Sequence, residues 1–145
     1  MTCSASTEYS SAFSCQKSID GKSDTDWATA GEGTGSWIQL NFGEVYKIET
    51  IKIKHRSTDR GTGEMFKDIF LEFSDGQKVD FRLNNIPFSS GLVWNEITLP
   101  SNPVSDYVRI TATSVYSTIN NGFSEIRVYG CTEGTFSNIS SRDVV

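Results

Sequence analysis

The sequence is poor in several things. It holds one histidine, three cysteines and three prolines in 145 residues, and it lacks any apolar run long enough to cross a membrane. It carries fewer basic than acidic side chains, 13 against 18, which leaves a net charge of −5. Each shortage excludes something. A single histidine, with no Ser/His/Asp or Cys/His arrangement around it, argues against an enzyme. Paired carboxylates exist at Asp24 and Asp26, but two acidic residues in a polar loop read as solvated. An acidic surface repels phosphate backbones and anionic headgroups, so nucleic acid is not expected as a partner and purely electrostatic membrane docking is disfavoured. No window carries a long helical period.

Three cysteines cannot all pair within one chain. Cys3 and Cys131 stand at the two ends of the patterned region. Chain ends of a sandwich are often close, so a Cys3–Cys131 bridge is the first expectation, worth about 4–5 kcal/mol in the chain-entropy account. Cys3–Cys15 is the second, and three buried free thiols the third. Asn138-Ile139-Ser140 is a glycosylation triplet, a pattern common by chance.

Aromatic residues and alternation are plentiful. Nine Phe, five Tyr and three Trp are ample for one core. Period-two patterns predict strands over Ser36–Phe42, Ile48–His55, Asp68–Phe73, Lys78–Leu83, Glu96–Leu99, Tyr107–Ala112 and Glu125–Tyr129. Gly43-Glu44 reads as a turn, and Ser74-Asp75-Gly76-Gln77 as a hairpin turn. Only Ser14–Ile19 hints at a helical turn. Short alternating strands at this spacing predict an all-β fold, an antiparallel jelly-roll β-sandwich. The domain is expected over residues 1–131, with 132–145 a flexible tail rich in Ser, Thr and Gly. Arg56–Phe66, Asn84–Trp94 and Ser114–Phe123 are loops rich enough to carry binding.

Four ordered stretches resemble the factor V/VIII type C, or discoidin-like, superfamily, which includes the family 32 carbohydrate-binding modules. They are Thr2–Tyr9 (TCSASTEY), Ser18–Trp27 (SIDGKSDTDW), Ser36–Gly43 (SWIQLNFG), and Asp106–Ile110 (DYVRI) with Phe123–Cys131 (FSEIRVYGC). The resemblance covers residues 2–131 and implies about eight strands, ligand loops at one end of the barrel and an extracellular, secreted setting. It leaves the ligand open, because the superfamily binds sugars, lipids and proteins. It also implies a structural Ca²⁺ site in the loop Asp20–Trp27. Its ligands would be the Asp20 carboxylate, the Thr25 hydroxyl and carbonyl, the carbonyls near Lys17 and Lys22, and the Glu125 carboxylate. Hard cations favour such oxygen sets.

At the loop end, His55 continues the inward parity of Ile51 and Ile53. Galactose binders of the family often place a His, an Arg, an Asn and an aromatic ring there. His55, Arg56 and Arg60 would supply donors, Asn120 and Asn121 amides, and Phe123 or Tyr116 a stacking platform for a sugar's C–H face. The family's later Arg and Asn pair is not matched, since Arg82-Leu83-Asn84-Asn85 puts Arg82 on the outward face. Trp27 and Trp37 fall at motif positions that are packed in the family. The reading is therefore a glycan-binding module or small lectin, with galactose-type sugars among the ligands. The alternative is an adhesion domain that docks on a membrane lipid or a protein through apolar spikes at Met65-Phe66 or Phe88, Leu92 and Trp94. Single lectin sites bind weakly, so a homo-oligomer would gain by avidity.

Overall fold

The structure, a computed structural model, describes residues 1–56, 64–86, 93–116, 119–132 and 142–143. Its architecture follows from one strand. Where the pattern suggests two strands separated by a turn, the backbone runs on as a single 19-residue strand, Trp37–His55 (β3). Gly43 within it has φ +89°, a conformation that side-chain-bearing residues rarely adopt. The pairing register slips between Asn41 and Tyr46. A bulge of this kind bends a strand without ending it, and it lets β3 serve two layers.

In one layer the first half of β3 pairs with Thr2–Ala5 (β1) and with Val104–Ala112 (β7). Asp68–Phe73 (β4) pairs with β7, and Lys78–Arg82 (β5) pairs with β4. In the other layer the second half of β3 pairs with Asn95–Thr98 (β6) and Gly122–Thr132 (β8). Trp27–Ala28 (β2) and Arg142–Asp143 (β9) both pair with β8. Every pairing is antiparallel. The fold is the expected all-β, jelly-roll sandwich.

Alternation decides what fills the space between the layers. Ile38 and Leu40 of β3, Ile69 and Leu71 of β4, and Val108 and Ile110 of β7 face Ile51 and Ile53 of β3, Ile97 of β6, and Ile126 and Val128 of β8. All are 2% exposed or less. Burying each such side chain contributes about 1.5–3 kcal/mol. The hairpin expected at Ser74–Gln77 joins β4 to β5, with the Asp75 carboxylate accepting the Gln77 N–H at 3.0 Å.

Three expectations change. The disulfide is Cys3–Cys15, and Cys131 is a buried free thiol. Pairing on β3 explains this: Cys3 lies opposite Leu40, whereas Cys131 lies opposite Lys47, beyond the bulge. The short 3₁₀ turn Cys15–Ser18 brings its own cysteine back to β1 instead. Trp27 is packed as expected, at 1% exposure. Trp37 is half-buried on the outer face of β3, in line with its parity opposite Ile38 and Leu40. Within the segment expected as a tail, Thr132 is the last residue of β8, and 142–143 pair with Tyr129 and Gly130. The other residues of that segment lie outside the described residues.

The disulfide closes a short loop near the start of the chain. Replacing both Cys3 and Cys15 with Ser is expected to lower the unfolding free energy by about 3 kcal/mol, read by urea denaturation. Peptide mapping without reductant should recover Cys3 linked to Cys15 and Cys131 as a thiol.

Candidate functional site

β3 ends at His55, and the next residue, Arg56, is 7% exposed. A guanidinium cannot be buried without partners. Its Nε donates to the Asp26 carboxylate at 3.3 Å, and its Nη1 donates to the Glu64 carboxylate and to the Asn120 carbonyl, the latter at 2.8 Å. Its Cζ lies 5.4 Å from the centre of the Phe13 ring, a cation–π distance. One side chain thus joins the segments that precede β2, β4 and β8 to the 3₁₀ turn Ser11–Phe13. Asn120 takes a positive φ, +48°, and its Oδ1 accepts the Gly31 N–H at 3.0 Å, which ties the segment before β8 to the one after β2.

Above Arg56 and Glu64 lies a cavity of about 180 Å³, lined also by Tyr9, Phe13, Ile119 and Asn120. Its floor is buried and charged, and its rim is open: Tyr9 and Ile119 are each 57% exposed. Tyr9 meets Phe13 edge to face at 5.7 Å. Paired polar groups below and an aromatic surface above suit a ligand that has hydroxyls on one side and C–H groups on the other.

Of the residues expected at this end, Arg56 and Asn120 line the cavity. The others are placed elsewhere. His55 keeps its inward parity, but the interior is closed there. It is 3% exposed, and its Nε2 lies 2.7 Å from the Asn84 carbonyl. That contact makes Nε2–H the donor and leaves Nδ1 buried with no partner among the described residues. Burial lowers the imidazole's pKa below its ordinary value, partly countered by the Asn84 contact. Phe123 is 1% exposed, with its ring 5.8 Å from Trp27 and 5.1 Å from Phe66. It is core, with no face for a ligand. Tyr116 donates its hydroxyl to the Leu83 carbonyl at 2.9 Å. Asn121 is fully buried and donates to the Glu32 carbonyl at 3.4 Å. Arg60 lies outside the described residues. Tyr9, Phe13, Glu64 and Ile119 are additions that the strand pattern could not supply. Tyr9 lies in the stretch TCSASTEY, and Glu64 and Ile119 lie in the loops Arg56–Phe66 and Ser114–Phe123.

The Asp20–Trp27 loop is an oxygen cluster. Gly21, at φ +76°, turns the chain sharply. The Thr25 hydroxyl lies 2.6 Å from an Asp20 carboxylate oxygen, 3.2 Å from the Lys17 carbonyl and 3.4 Å from the Lys22 carbonyl. One hydroxyl proton faces three acceptors, and the other Asp20 oxygen accepts the Lys22 N–H at 2.9 Å, so several oxygens gather about one point. That donor set fits a hard cation. Glu125 is occupied differently: its carboxylate lies 3.8 Å from Lys54 Nζ and 3.0 Å from Arg127. Among the described residues no three His, Cys, Asp or Glu side chains gather as a metal-binding group. A cation in this loop would therefore rest on carbonyl and hydroxyl oxygens and one carboxylate.

The apolar spikes also resolve in part. Met65 and Phe66 are core, at 5% and 1% exposure. Trp94 is half-buried, with Lys54 Nζ 4.1 Å and Arg127 Cζ 5.3 Å from its ring centre. Phe88 and Leu92 lie outside the described residues.

The buried His55 makes a pH prediction. A histidine whose folded pKa is depressed takes up its proton more readily in the unfolded chain. Its contribution to stability is fully present above pH of about 6.5 and is lost as pH falls toward the folded pKa. Melting temperature should drop on acidification through this range, and His55→Gln should flatten that part of the profile. Equal slopes for the two proteins would remove His55 as the cause.

The sequence profile of the F5/8 type C domain matches residues 2–128. Nothing among curated proteins matches the chain. Several solved structures share its fold. The family 32 carbohydrate-binding module of Clostridium perfringens NanJ, in complex with galactose, superposes with a TM-score of 0.72 at 19% identity, covering 88% of this chain and 91% of that one. Chitosan-binding module 2 of a Paenibacillus sp. IK-5 chitosanase/glucanase, in complex with chitotriose, gives 0.70 at 18% identity, covering 89% and 95%. An F5/8 type C domain from Bacteroides fragilis gives 0.73 at 16% identity, covering 90% and 91%. A profile match over most of the sequence, on a sandwich of the same architecture, establishes that the chain belongs to the F5/8 type C domain family.

Proposed function

We propose that this domain binds a glycan at the loop-end cavity and does no chemistry on it. The observation that carries the reading is the exposed Tyr9–Ile119 rim over the buried Arg56–Glu64 floor. The charges of the floor are already paired with one another. They offer fixed hydrogen-bonding edges but no free acid, base or nucleophile for bond cleavage. Galactose and chitotriose complexes of structures with the same fold support the ligand class. The net charge of −5 and the burial of Met65 and Phe66 disfavour the lipid alternative. An extracellular setting and multivalent display fit such a module, since one shallow site binds weakly and copies gain by avidity.

Tyr9 is the residue to test, because its exposure lets it change without disturbing the core. On a glycan array followed by calorimetry, Tyr9→Ala should weaken binding about tenfold, or about 1.4 kcal/mol, with melting unchanged. Liposome co-sedimentation serves as the control. Binding that survives unchanged in both Tyr9→Ala and Ile119→Ala, or that appears only on liposomes, would overturn the reading.

The same reading includes a structural Ca²⁺ ion held by Asp20, Thr25 and the carbonyls of Lys17 and Lys22. Its support is the gathering of oxygens around the Thr25 hydroxyl. Bound Ca²⁺ would join those oxygens and hold the loop to its fold. Free Ca²⁺ at a hundred times its Kd should stabilise the protein by about 2.7 kcal/mol relative to chelator. Asp20→Ala should abolish the difference. A midpoint that is the same with Ca²⁺ and with chelator in the wild-type protein would exclude the ion.

A further inference from the structure

The outer face of the β1–β3–β7–β4–β5 layer carries a row of polar side chains in register. Gln39 lies opposite Arg109, Arg109 opposite Glu72, and Glu72 opposite Lys78. These residues, with Tyr107 and Gln77 of the β4–β5 turn, line a groove of about 500 Å³. None of them lines the loop-end cavity. Aromatic rings border the row. Trp37 and Phe70 belong to the neighbouring row on one side, where both lie opposite Thr111, and Tyr107 lies on the other side, opposite Asn41.

The pairing within the row is unexpected. Glu72 has a cation opposite it on each neighbouring strand, and opposite charges across strands normally attract by about 0.2–1 kcal/mol. Yet among the described residues the Glu72 carboxylate accepts no hydrogen bond and forms no ion pair. Both cations lie over rings instead. The Arg109 Cζ sits 4.1 Å from the Trp37 ring centre, and Lys78 Nζ sits 3.7 Å from that of Phe70. Arg109 Nε donates to Gln39 Oε1 at 2.9 Å, and Gln39 Nε2 donates to Asn41 Oδ1 at 2.8 Å. Stacking and one hydrogen bond fix the guanidinium while its Nη groups face no acceptor among the described residues. The groove is thus oriented and open to solvent, with donors, an acceptor and ring edges in one line.

The chemistry of the row selects its ligand. A polyanion would meet Glu72, and a polycation would meet Arg109 and Lys78. A neutral, polyhydroxylated chain satisfies all three, because each hydroxyl both donates and accepts. The row crosses four strands, about 14 Å at the usual strand spacing of about 4.8 Å, which is the length of a short oligosaccharide. We infer that this groove is a second glycan site, one that takes an extended neutral oligosaccharide lying across the strands, with Arg109, Glu72 and Lys78 as its polar contacts. The inference rests on the glycan-binding reading only for its ligand class.

Amide NMR of the full chain, titrated with N-acetylated chitotriose, cellotriose and lactose, all neutral, tests it. At least one should give saturable shifts at Gln39, Glu72, Lys78 and Arg109. Glu72→Ala and Arg109→Lys should each weaken that event about tenfold or more, and Tyr9→Ala should leave it unchanged. Melting of each variant is checked alongside, and Arg109→Lys keeps the charge should Glu72→Ala fail to fold. Shifts confined to the loop end, groove shifts indifferent to both groove variants, or groove shifts that appear only with a heparin-derived anionic oligosaccharide would overturn the inference. A groove that responds while the loop end stays silent would uphold it and sink the loop-end reading instead.

Discussion

The continuity of β3 is the constraint on which the rest hangs. Because this strand bends at Gly43 instead of ending, its two halves belong to opposite layers, and the core forms between them. The bend also fixes what each end of the strand can reach. Its start displays Trp37 and Gln39 on an open sheet face, and its end delivers Arg56 to the loops. A break at Gly43 would free the two halves to shift relative to each other. Since side chains alternate, a slip of one residue would turn Ile51 and Ile53 outward and Lys52 and Lys54 inward.

Arg56 shows what a charged residue does at the end of a strand where several loops meet. Burying a guanidinium is unfavourable unless its donors are met. Meeting them draws Asp26, Glu64 and the Asn120 carbonyl to one point. The loops gain a shared anchor that hydrophobic contact alone would not direct. Glycan recognition needs fixed hydrogen-bonding edges, and loops that moved independently would lose entropy on binding. The same interaction therefore organises the loops and presents their polar edges.

What the sequence made legible follows from the range of the physics involved. Strand identity and facing are local, and alternation over 38/40/42, 51/53, 69/71 and 108/110 named core residues that the structure buries. The Asp75-Gly76 turn was equally plain. The bend at Gly43 reads in the sequence as a strand break because a bulge and a turn share the same residues. The Cys3–Cys15 pairing is not legible locally, because it depends on which half of β3 each cysteine meets, a long-range fact. The site divides in the same way. Arg56 and Asn120 stand next to strand ends, where parity and turn chemistry still speak. Tyr9, Phe13 and Glu64 reach the cavity through the return of the N-terminal segment and of the loop before β4, and no local pattern encodes that. Parity places His55 inward, as the structure does, but it cannot tell an open interior from one that the Asn84 carbonyl closes.

Two arginines on this domain illustrate one rule with opposite outcomes. Arg56 is buried, so its surroundings must neutralise it, and two carboxylates and a carbonyl do so. Arg109 is only half-buried, and water meets whatever the protein does not. Its ring contact with Trp37 holds it as firmly as an exposed ion pair would, since both are worth about 0.5–1 kcal/mol at most. The stacked arrangement differs in one respect: it leaves the hydrogen-bonding edges of Arg109 and Glu72 turned to solvent instead of to each other. A sheet face selected only for solubility has no reason to prefer that arrangement over a salt bridge. A face that exchanges water for ligand hydroxyls does, because a paired Glu72 would first have to give up its cation.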